Sequence, residues 1–473
     1  MLPSLAIAAA IVQTAGTTEV TVYNQGFGFI KELRTFSLRP GRQTVAVEDV
    51  AAMIETNSVG VRSITDVNAF QVLEQNYQYD LISVQAILNK AVGQQIRFHR
   101  TLPNGAKEIL VGTLVSSPTA IISDANGNQS QTYNGMVIKT DDGRIVLNPS
   151  GEIEVTSLPE GLISKPTLLW DLQVAKGGEN TVELSYLTQG MNWKSDYVFT
   201  LDGTSKADLL GWVTLTNNSG ATFKDAKLKL LAGDVERAQQ FNRPGSFARG
   251  GGAMEMKSAD AFKEETLFEY HLYTLQRPAT VKNREIKQVS LLEGHGIVYT
   301  KKLIVDALMD NWRFYPSEGE IGLGDIKPQV RVEFENSEKN DLGIPLPAGT
   351  VKVYQRDKSG SVQMLGEDRI DHTPKNEKIS LVVGKSFDVR ATRKRTNYRR
   401  INANTFEQSF EIEVRNRKDT AETVHVMERM WGDWKVTVKN MDFEKLDANT
   451  AQWVVELKAN EVKTVKFTVV TTW

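Results

Sequence analysis

The chain has 473 residues, well beyond the ~100–200 residues of a typical domain, so several packed modules are expected. Lys and Arg total 56 against 58 Asp and Glu, a net charge of −2 that creates no overall field toward polyanions. We therefore expect no nucleic-acid partner. Cysteine is absent, which excludes disulfides, thiolate metal ligands and thiol nucleophiles.

The first sixteen residues form a short apolar run that ends in small residues, Met1 to Gly16. This composition is typical of a signal peptide at 1–16, with the mature chain starting near Thr17, and the run is shorter than the ~20 residues of a membrane-spanning helix. Because no Lys or Arg precedes it, the alternatives are a true start a few residues upstream of Met1, or a buried strand or helix in place of the signal peptide. We expect an exported protein, periplasmic or on the cell surface, with no transmembrane span in the mature chain.

From residue 17 onward the dominant period is two, as in Val20 to Tyr23 and Gln43 to Val47. The clearest example is Phe406 to Val414, where apolar and charged residues alternate. Such alternation predicts half-buried strands, whereas only Ile82 to Lys90 has the spacing of a short helix. The sequence predicts an all-β protein of several antiparallel, immunoglobulin-like β-sandwiches.

Turn signals suggest how these strands are grouped. Asn104-Gly105 and Asp142-Gly143 each separate two short strand patterns and supply the positive φ of a tight hairpin turn. The hairpins predict a small β-barrel inserted at 70–163. We further expect an N-terminal β-unit at 17–69, a β-sandwich at 164–310 with a flexible loop at 236–263, and a C-terminal β-sandwich at 311–473.

Three blocks of sequence carry a family resemblance: Tyr186 to Asp202, Leu210 to Asp234, and Pro345 to Val389. Together they resemble the bacterial proteins grouped as domain of unknown function 4139, over roughly residues 18–473. The resemblance implies an exported, β-rich protein and brings no catalytic residues with it. This chain departs from the family at residues 219–223, Ser-Gly-Ala-Thr-Phe, where relatives carry an acidic, tryptophan-containing turn.

No motif for catalysis, for a cofactor or for a metal is present. The five histidines lie in separate segments without HExxH or His-x-His spacing, and Gly-x-Ser-x-Gly, P-loop and dinucleotide fingerprints are missing. The acidic cluster Glu367 to Pro374 offers a carboxylate pair, but along a strand Asp368 and Asp371 point to opposite faces. We therefore predict no catalytic residue, no cofactor and no metal ligand.

Two segments are candidates for binding. The loop at 236–263 has no apolar period and contains three consecutive glycines, so flexible apolar and basic side chains there are candidate partner contacts: Phe241, Arg243, Phe247, Arg249, Met254 and Met256. A basic run, which we expect to lie between strands, is either a solvated connector, a salt network at a domain interface or an anion contact: Arg393, Lys394, Arg395, Tyr398, Arg399 and Arg400.

The leading hypothesis is a non-enzymatic exported protein of the cell envelope that presents loops to a protein or a surface polymer. The alternative is a carbohydrate-active enzyme or lectin that uses carboxylates and aromatic residues such as Trp431 and Trp434 in an inter-domain cleft. Paired carboxylates across a deep pocket would favour the enzyme. The sequence does not determine the oligomeric state.

Overall fold

The computed structural model describes residues 14–101, 105–116, 119–123, 129–133, 135–149, 151–159, 161–237, 262–307 and 323–472. About 66% of the residues are in strands and 3% in helices, so the predicted all-β class is confirmed. The short helix predicted near Ile82 to Lys90 is present at Val84–Lys90, where Ser83 caps its first turn by accepting a hydrogen bond from the Ala86 N–H.

Within the described residues, the first half of the chain has seventeen strands and one α-helix. In chain order they are β1 (Thr14–Tyr23), β2 (Phe27–Leu38), β3 (Gly41–Glu48), β4 (Gly60–Ser63), β5 (Phe70–Gln78), α1 (Val84–Lys90), β6 (Gln95–Thr101), β7 (Lys107–Leu114), β8 (Thr119–Ser123), β9 (Gln129–Tyr133), β10 (Val137–Thr140), β11 (Ile145–Leu147), β12 (Glu152–Val155), β13 (Thr167–Val174), β14 (Gly178–Gln189), β15 (Met191–Leu201), β16 (Lys206–Asn217) and β17 (Phe223–Ala232).

The second half continues with strands that are on average longer. They are β18 (Phe262–Leu267), β19 (Tyr270–Leu275), β20 (Ala279–Val281), β21 (Glu285–Asp306), β22 (Gly324–Ile326), β23 (Gln329–Glu335), β24 (Gly349–Arg356), β25 (Val362–Ile370), β26 (Lys378–Lys385), β27 (Val389–Arg400), β28 (Thr405–Asn416), β29 (Glu422–Arg429), β30 (Asp433–Lys439), β31 (Glu444–Asp447), β32 (Thr450–Leu457) and β33 (Val462–Thr472).

A large core holds the N-terminal and middle parts of the chain together. One sheet runs β18-β19-β17-β1-β2-β14-β4, with β20 beside β17, and a three-stranded sheet β3-β13-β5 packs near it through Phe36 and Trp170, whose ring centroids are 6.0 Å apart. The strand pattern read from sequence holds here: Leu209, Val213 and Leu215 of β16 are all buried on one face. The layers are sandwich-like.

The middle module is the part of the third sheet formed by β25-β24-β15-β16-β21, together with β23 and β26. β23 pairs with both β21 and β26, so the sheet curls until β26 lies beside β25. The Asp368 carboxylate of β25 accepts a hydrogen bond of 2.7 Å from the Val382 N–H of β26, which fixes the two strands together.

The C-terminal module has its own core, formed by β22, β27–β33 and the last residues of β21. β21 has 22 residues: its first part pairs with β16, and its last part pairs with β23 and with β29. A single uninterrupted strand therefore belongs to both modules. Leu303 and Val305 of this strand are buried in the C-terminal core.

The described chain contains three copies of one strand-to-strand connection, each beginning at a buried asparagine. Asn217, Asn336 and Asn416 each lie fully buried at the end of a strand, and each side-chain amide donates hydrogen bonds to backbone carbonyls of the following turn or a neighbouring loop. The strand after each turn (β17, β24 or β29) then pairs in parallel with an earlier strand (β1, β15 or β21). The remaining strand pairs are antiparallel within the described residues.

The inserted unit at 70–163 is not the small barrel that the hairpins predict. Both predicted hairpins are present, β6 with β7 and β10 with β11, but they belong to an open sheet of order β11-β10-β7-β6-β12, and no closed barrel is found in the described chain. The edge strands β11 and β12 have only three and four residues, which is too short to close a curved sheet edge to edge. Its small core includes Ile96, Phe98 and Leu114.

β1 begins at Thr14, three residues before the predicted mature end at Thr17. Its ladder with β2 is irregular between Ala15 and Thr18 and regular from Thr18 onward. No helix in the described ranges is both long and apolar enough to cross a bilayer.

Candidate functional site

A cavity of about 530 Å³, which we call the junction cavity, lies where the middle module meets the C-terminal module. Tyr299, Thr300 and Lys301 line it from β21, at the point where that strand passes from one module to the other. Val330 of β23 lines it too and also packs against the C-terminal core. The cavity volume falls within the ~300–1,000 Å³ of ordinary small-molecule sites.

Part of the cavity lining is aliphatic. Strand alternation places these side chains on the inner face of the curled sheet, and Val332 is only 2% exposed. Leu365 lies at the outer lip, where 42% of its surface is exposed. The aliphatic lining residues are Leu201, Val330, Val332, Leu365 and Val383.

Most of the remaining lining consists of neutral hydrogen-bonding groups from the β15–β16 turn, β21 and β24. These lining residues are Thr204, Ser205, Tyr299, Thr300 and Gln355. The ring of Tyr299 packs edge-on against Phe199, with centroids 6.4 Å apart, so its position is fixed by the core. Burial raises the pKa of Tyr299 and nearby Asp202 adds to the effect, so its hydroxyl is neutral at physiological pH.

The one charged lining residue, Lys301, is ion-paired. Its Nζ lies 3.0 Å from the Glu422 carboxylate of β29, and Lys418 binds the same carboxylate at 2.8 Å. Burial acts to raise the pKa of Glu422, but the hydrogen bonds of Lys418 and Lys301 outweigh it and the pKa is lowered. The carboxylate is therefore ionised, and it balances one of the two lysine charges that it binds, Lys301 at the cavity border and Lys418.

A second concavity, of about 370 Å³, lies beside the β1–β2 turn. Its lining includes Gln25, Phe27, Asp234 and Arg237. The Arg237 guanidinium lies 4.4 Å from the centroid of the Phe27 ring and forms a 2.6 Å ion pair with Glu55. The predicted partner contacts that follow it in the chain lie outside the described residues: Phe241, Arg243, Phe247, Arg249, Met254 and Met256.

The basic run does not lie between strands, as we expected, but forms most of β27. The physical reason is the pairing of β27 with β28 along its length, which places acidic and aromatic residues next to the cations. Arg393 is 4% exposed and forms a bidentate ion pair with Glu428, at 2.8 and 2.9 Å, with its guanidinium 4.1 Å from the Phe410 ring centroid. Arg393 is thus a core residue.

The other members of the run lie nearer the surface. Arg399 forms a bidentate ion pair with Glu407, and Arg395 lies over the ring of Tyr398 at 4.9 Å. Arg400 donates hydrogen bonds to the carbonyls of residues 402 and 403 in the following turn, and Lys394 is exposed. These contacts fix the β27–β28 hairpin, and an anion contact at its exposed cations stays a prediction.

The acidic cluster is a strand end that precedes a turn, and it has structural contacts. β25 ends at Ile370, and Asp368 binds the β26 backbone as described above. His372 Nδ1 accepts a 3.1 Å hydrogen bond from the Ala348 N–H, and burial lowers the pKa of this imidazole. Within the described ranges, no three His, Asp or Glu side chains are grouped in a way that could hold a metal ion.

The residues around the junction cavity were not identified from sequence. Tyr299, Gln355 and Val332 lie on three different strands and each looks like an ordinary strand residue. They come together only through strand pairing, because β24 pairs with β15, β15 with β16, and β21 with both β16 and β23. No local pattern signals these pairings.

Comparison with known proteins adds no assignment. The chain matches no protein-family model. No curated protein sequence shows significant similarity to it.

Proposed function

We propose that this protein is a non-enzymatic binding protein of the bacterial cell envelope, exported to the periplasm or surface, whose β-modules hold a protein or a surface polymer. The observation that carries the proposal is the junction cavity. Its aliphatic wall and neutral hydrogen-bonding groups offer contact area and orientation, and the one charged lining residue, Lys301, is ion-paired with Glu422. This chemistry suits binding better than proton transfer, which needs a titratable group at the reacting atom.

The alternative, a glycosidase in an inter-domain cleft, needs two carboxyl groups ~5–10 Å apart across the pocket. None of the residues that line the junction cavity is Asp or Glu. Asp202 lies in the chain between the lining residues Leu201 and Gly203. Its carboxylate accepts hydrogen bonds from the Thr204 hydroxyl, the Thr204 N–H and the Lys206 N–H. A lectin-like role, by contrast, is compatible with the same lining.

The continuous strand β21 supports a mechanical aspect of the proposal. A strand shared by two modules joins them through one continuous backbone ladder, so a ligand in the junction cavity would contact a strand that belongs to both modules. Membership of the 4139 family and export through the segment at 1–16 are parts of the same proposal.

The test is a binding assay on washed envelope material from the producing bacterium. Purified protein, labelled on an exposed lysine, should be retained in a saturable manner and be displaced by unlabelled protein. In parallel, a panel of chromogenic glycosides should release no chromophore above the background rate. Failure of retention contradicts the binding proposal, whereas glycoside turnover supports the enzyme alternative.

A further inference from the structure

Several polar groups of the junction cavity make no hydrogen bond to the protein. Within the described chain, the Tyr299 hydroxyl and the Gln355 amide have no protein partner, although both residues are partly buried. Thr204, by contrast, uses its hydroxyl to bind Asp202 at 2.6 Å. A phenol and a primary amide together offer donors and acceptors in both directions without any charge.

These groups share the cavity lining with an aliphatic surface. Val330, Val332 and Val383 come from two neighbouring strands, β23 and β26, and form a continuous apolar wall. A ligand that packs on the aliphatic residues and hydrogen-bonds to the polar ones needs an apolar face and several neutral hydroxyl or amide groups. A pyranose ring has this combination, because its C–H bonds form one face while its hydroxyls project around the rim.

The electrostatics argue against a charged ligand. Lys301 is held in an ion pair with Glu422, and the ionised Asp202 is directed at its own turn through three hydrogen bonds. An anionic ligand would have to compete with Glu422 for Lys301, and a cation would find no carboxylate among the lining residues.

We propose that the junction cavity binds a neutral saccharide unit, with the Tyr299 hydroxyl and the Gln355 amide as its hydrogen-bonding partners and the β23–β26 valines under its apolar face. This inference rests on the proposed binding function and specifies its ligand as a neutral glycan. Tyr299 and Gln355 are then the residues that set specificity.

The experiment uses the full-length chain and isothermal titration with defined probes at up to millimolar concentration. The neutral probes are maltotriose and chitotriose; trigalacturonic acid is the anionic comparison, and an N-acetylated trialanine amide is the peptide comparison. We expect saturable binding of at least one neutral trisaccharide, with weaker or no binding of the acidic sugar and of the peptide.

Two variants test the named contacts. Tyr299→Phe removes one hydroxyl and keeps the ring against Phe199, and Gln355→Leu removes the amide at nearly constant volume; each should weaken saccharide binding about tenfold. Tyr354→Phe is the matched control, because Tyr354 is adjacent to Gln355 on β24 but does not line the cavity. It should bind like the wild type, and thermal melting should show that all three variants are folded.

The inference is overturned if neither neutral trisaccharide binds, if the acidic sugar or the peptide binds in preference, or if Tyr299→Phe and Gln355→Leu both leave the affinity unchanged. Its failure can be separated from failure of the proposed function. If the protein binds envelope material but no neutral saccharide, the envelope-binding function stands and the saccharide inference fails. If the wild type is not retained on envelope material, the envelope-binding function fails as well.

Discussion

Glu428 and Arg393 form an ion pair inside the C-terminal core, and both side chains are 4% exposed. Replacing Glu428 by alanine removes the carboxylate and leaves the guanidinium in the core, next to the Phe410 ring. Breaking a buried pair in this way costs about 3–5 kcal/mol of stability. For a folding unit of roughly 150–250 residues, such as the C-terminal module, the melting temperature falls by about 2–4 °C per kcal/mol of lost stability, so we expect a decrease of about 10 °C.

The same strand offers a matched control. Arg399 and Glu407 also form a bidentate pair between β27 and β28, at 3.1 and 3.0 Å, but the Arg399 side chain is 63% exposed. Glu407→Ala should cost no more than about 1 kcal/mol, because solvent screens the remaining charge. The two variants therefore differ mainly in burial.

A double variant separates the value of the pair from the cost of a lone buried charge. Arg393→Met combined with Glu428→Leu replaces both charges by apolar groups and should recover most of the stability lost in Glu428→Ala. The measurement is urea unfolding followed by circular dichroism, together with calorimetry. Equal losses for Glu428→Ala and Glu407→Ala would refute the reasoning, since burial would then not decide the cost.

Three further predictions follow from single sites. Asn416→Ala should lower the unfolding free energy by about 2–4 kcal/mol, because the buried Asn416 amide donates to the carbonyls of Thr420 and Lys458 and its oxygen accepts from the Lys418 N–H; a loss below about 1 kcal/mol by urea unfolding would contradict this. Burial lowers the pKa of His425 in the folded protein, so on acidification below about pH 6.5 the unfolded chain takes up the histidine proton before the folded chain does, which destabilises the fold. His425→Gln should therefore lose less stability than the wild type between about pH 7 and about pH 5, as measured by urea unfolding at both pH values. Expressed with its native upstream region, the protein should be recovered outside the cytosol with its N-terminus near Thr17, and an intact Met1 in a cytosolic fraction would contradict export.

Local features of the sequence determined the secondary structure. The period-two alternation in β16 and β28, the hairpin turns at Asn104-Gly105 and Asp142-Gly143, and the short helix near Ile82 all depend on residues within a few positions of one another. Side-chain alternation and turn chemistry are set by backbone geometry, so they can be read from one stretch of chain.

The three asparagine connections show what local sequence patterns do not predict, namely which distant strands pair. The sequence around Asn217, Asn336 and Asn416 has no fixed period, because the segments between them differ in length and content. The repeat is visible only in the pairing: the strand after each turn joins an earlier strand in parallel. Parallel pairing links residues that are far apart in sequence, and local patterns do not record which distant strand is the partner.

The same limit explains the inserted unit and the cavity. The hairpins of the insert were predictable, but whether its sheet closes depends on edge strands of three and four residues meeting across the unit. Likewise, Tyr299 and Gln355 become neighbours of Val332 only because β21 passes through both modules while the sheet curls toward β26. The sequence by itself determined strands and turns; tertiary pairing decided the open sheet, the core position of Arg393 and the junction cavity, because these depend on contacts between distant segments.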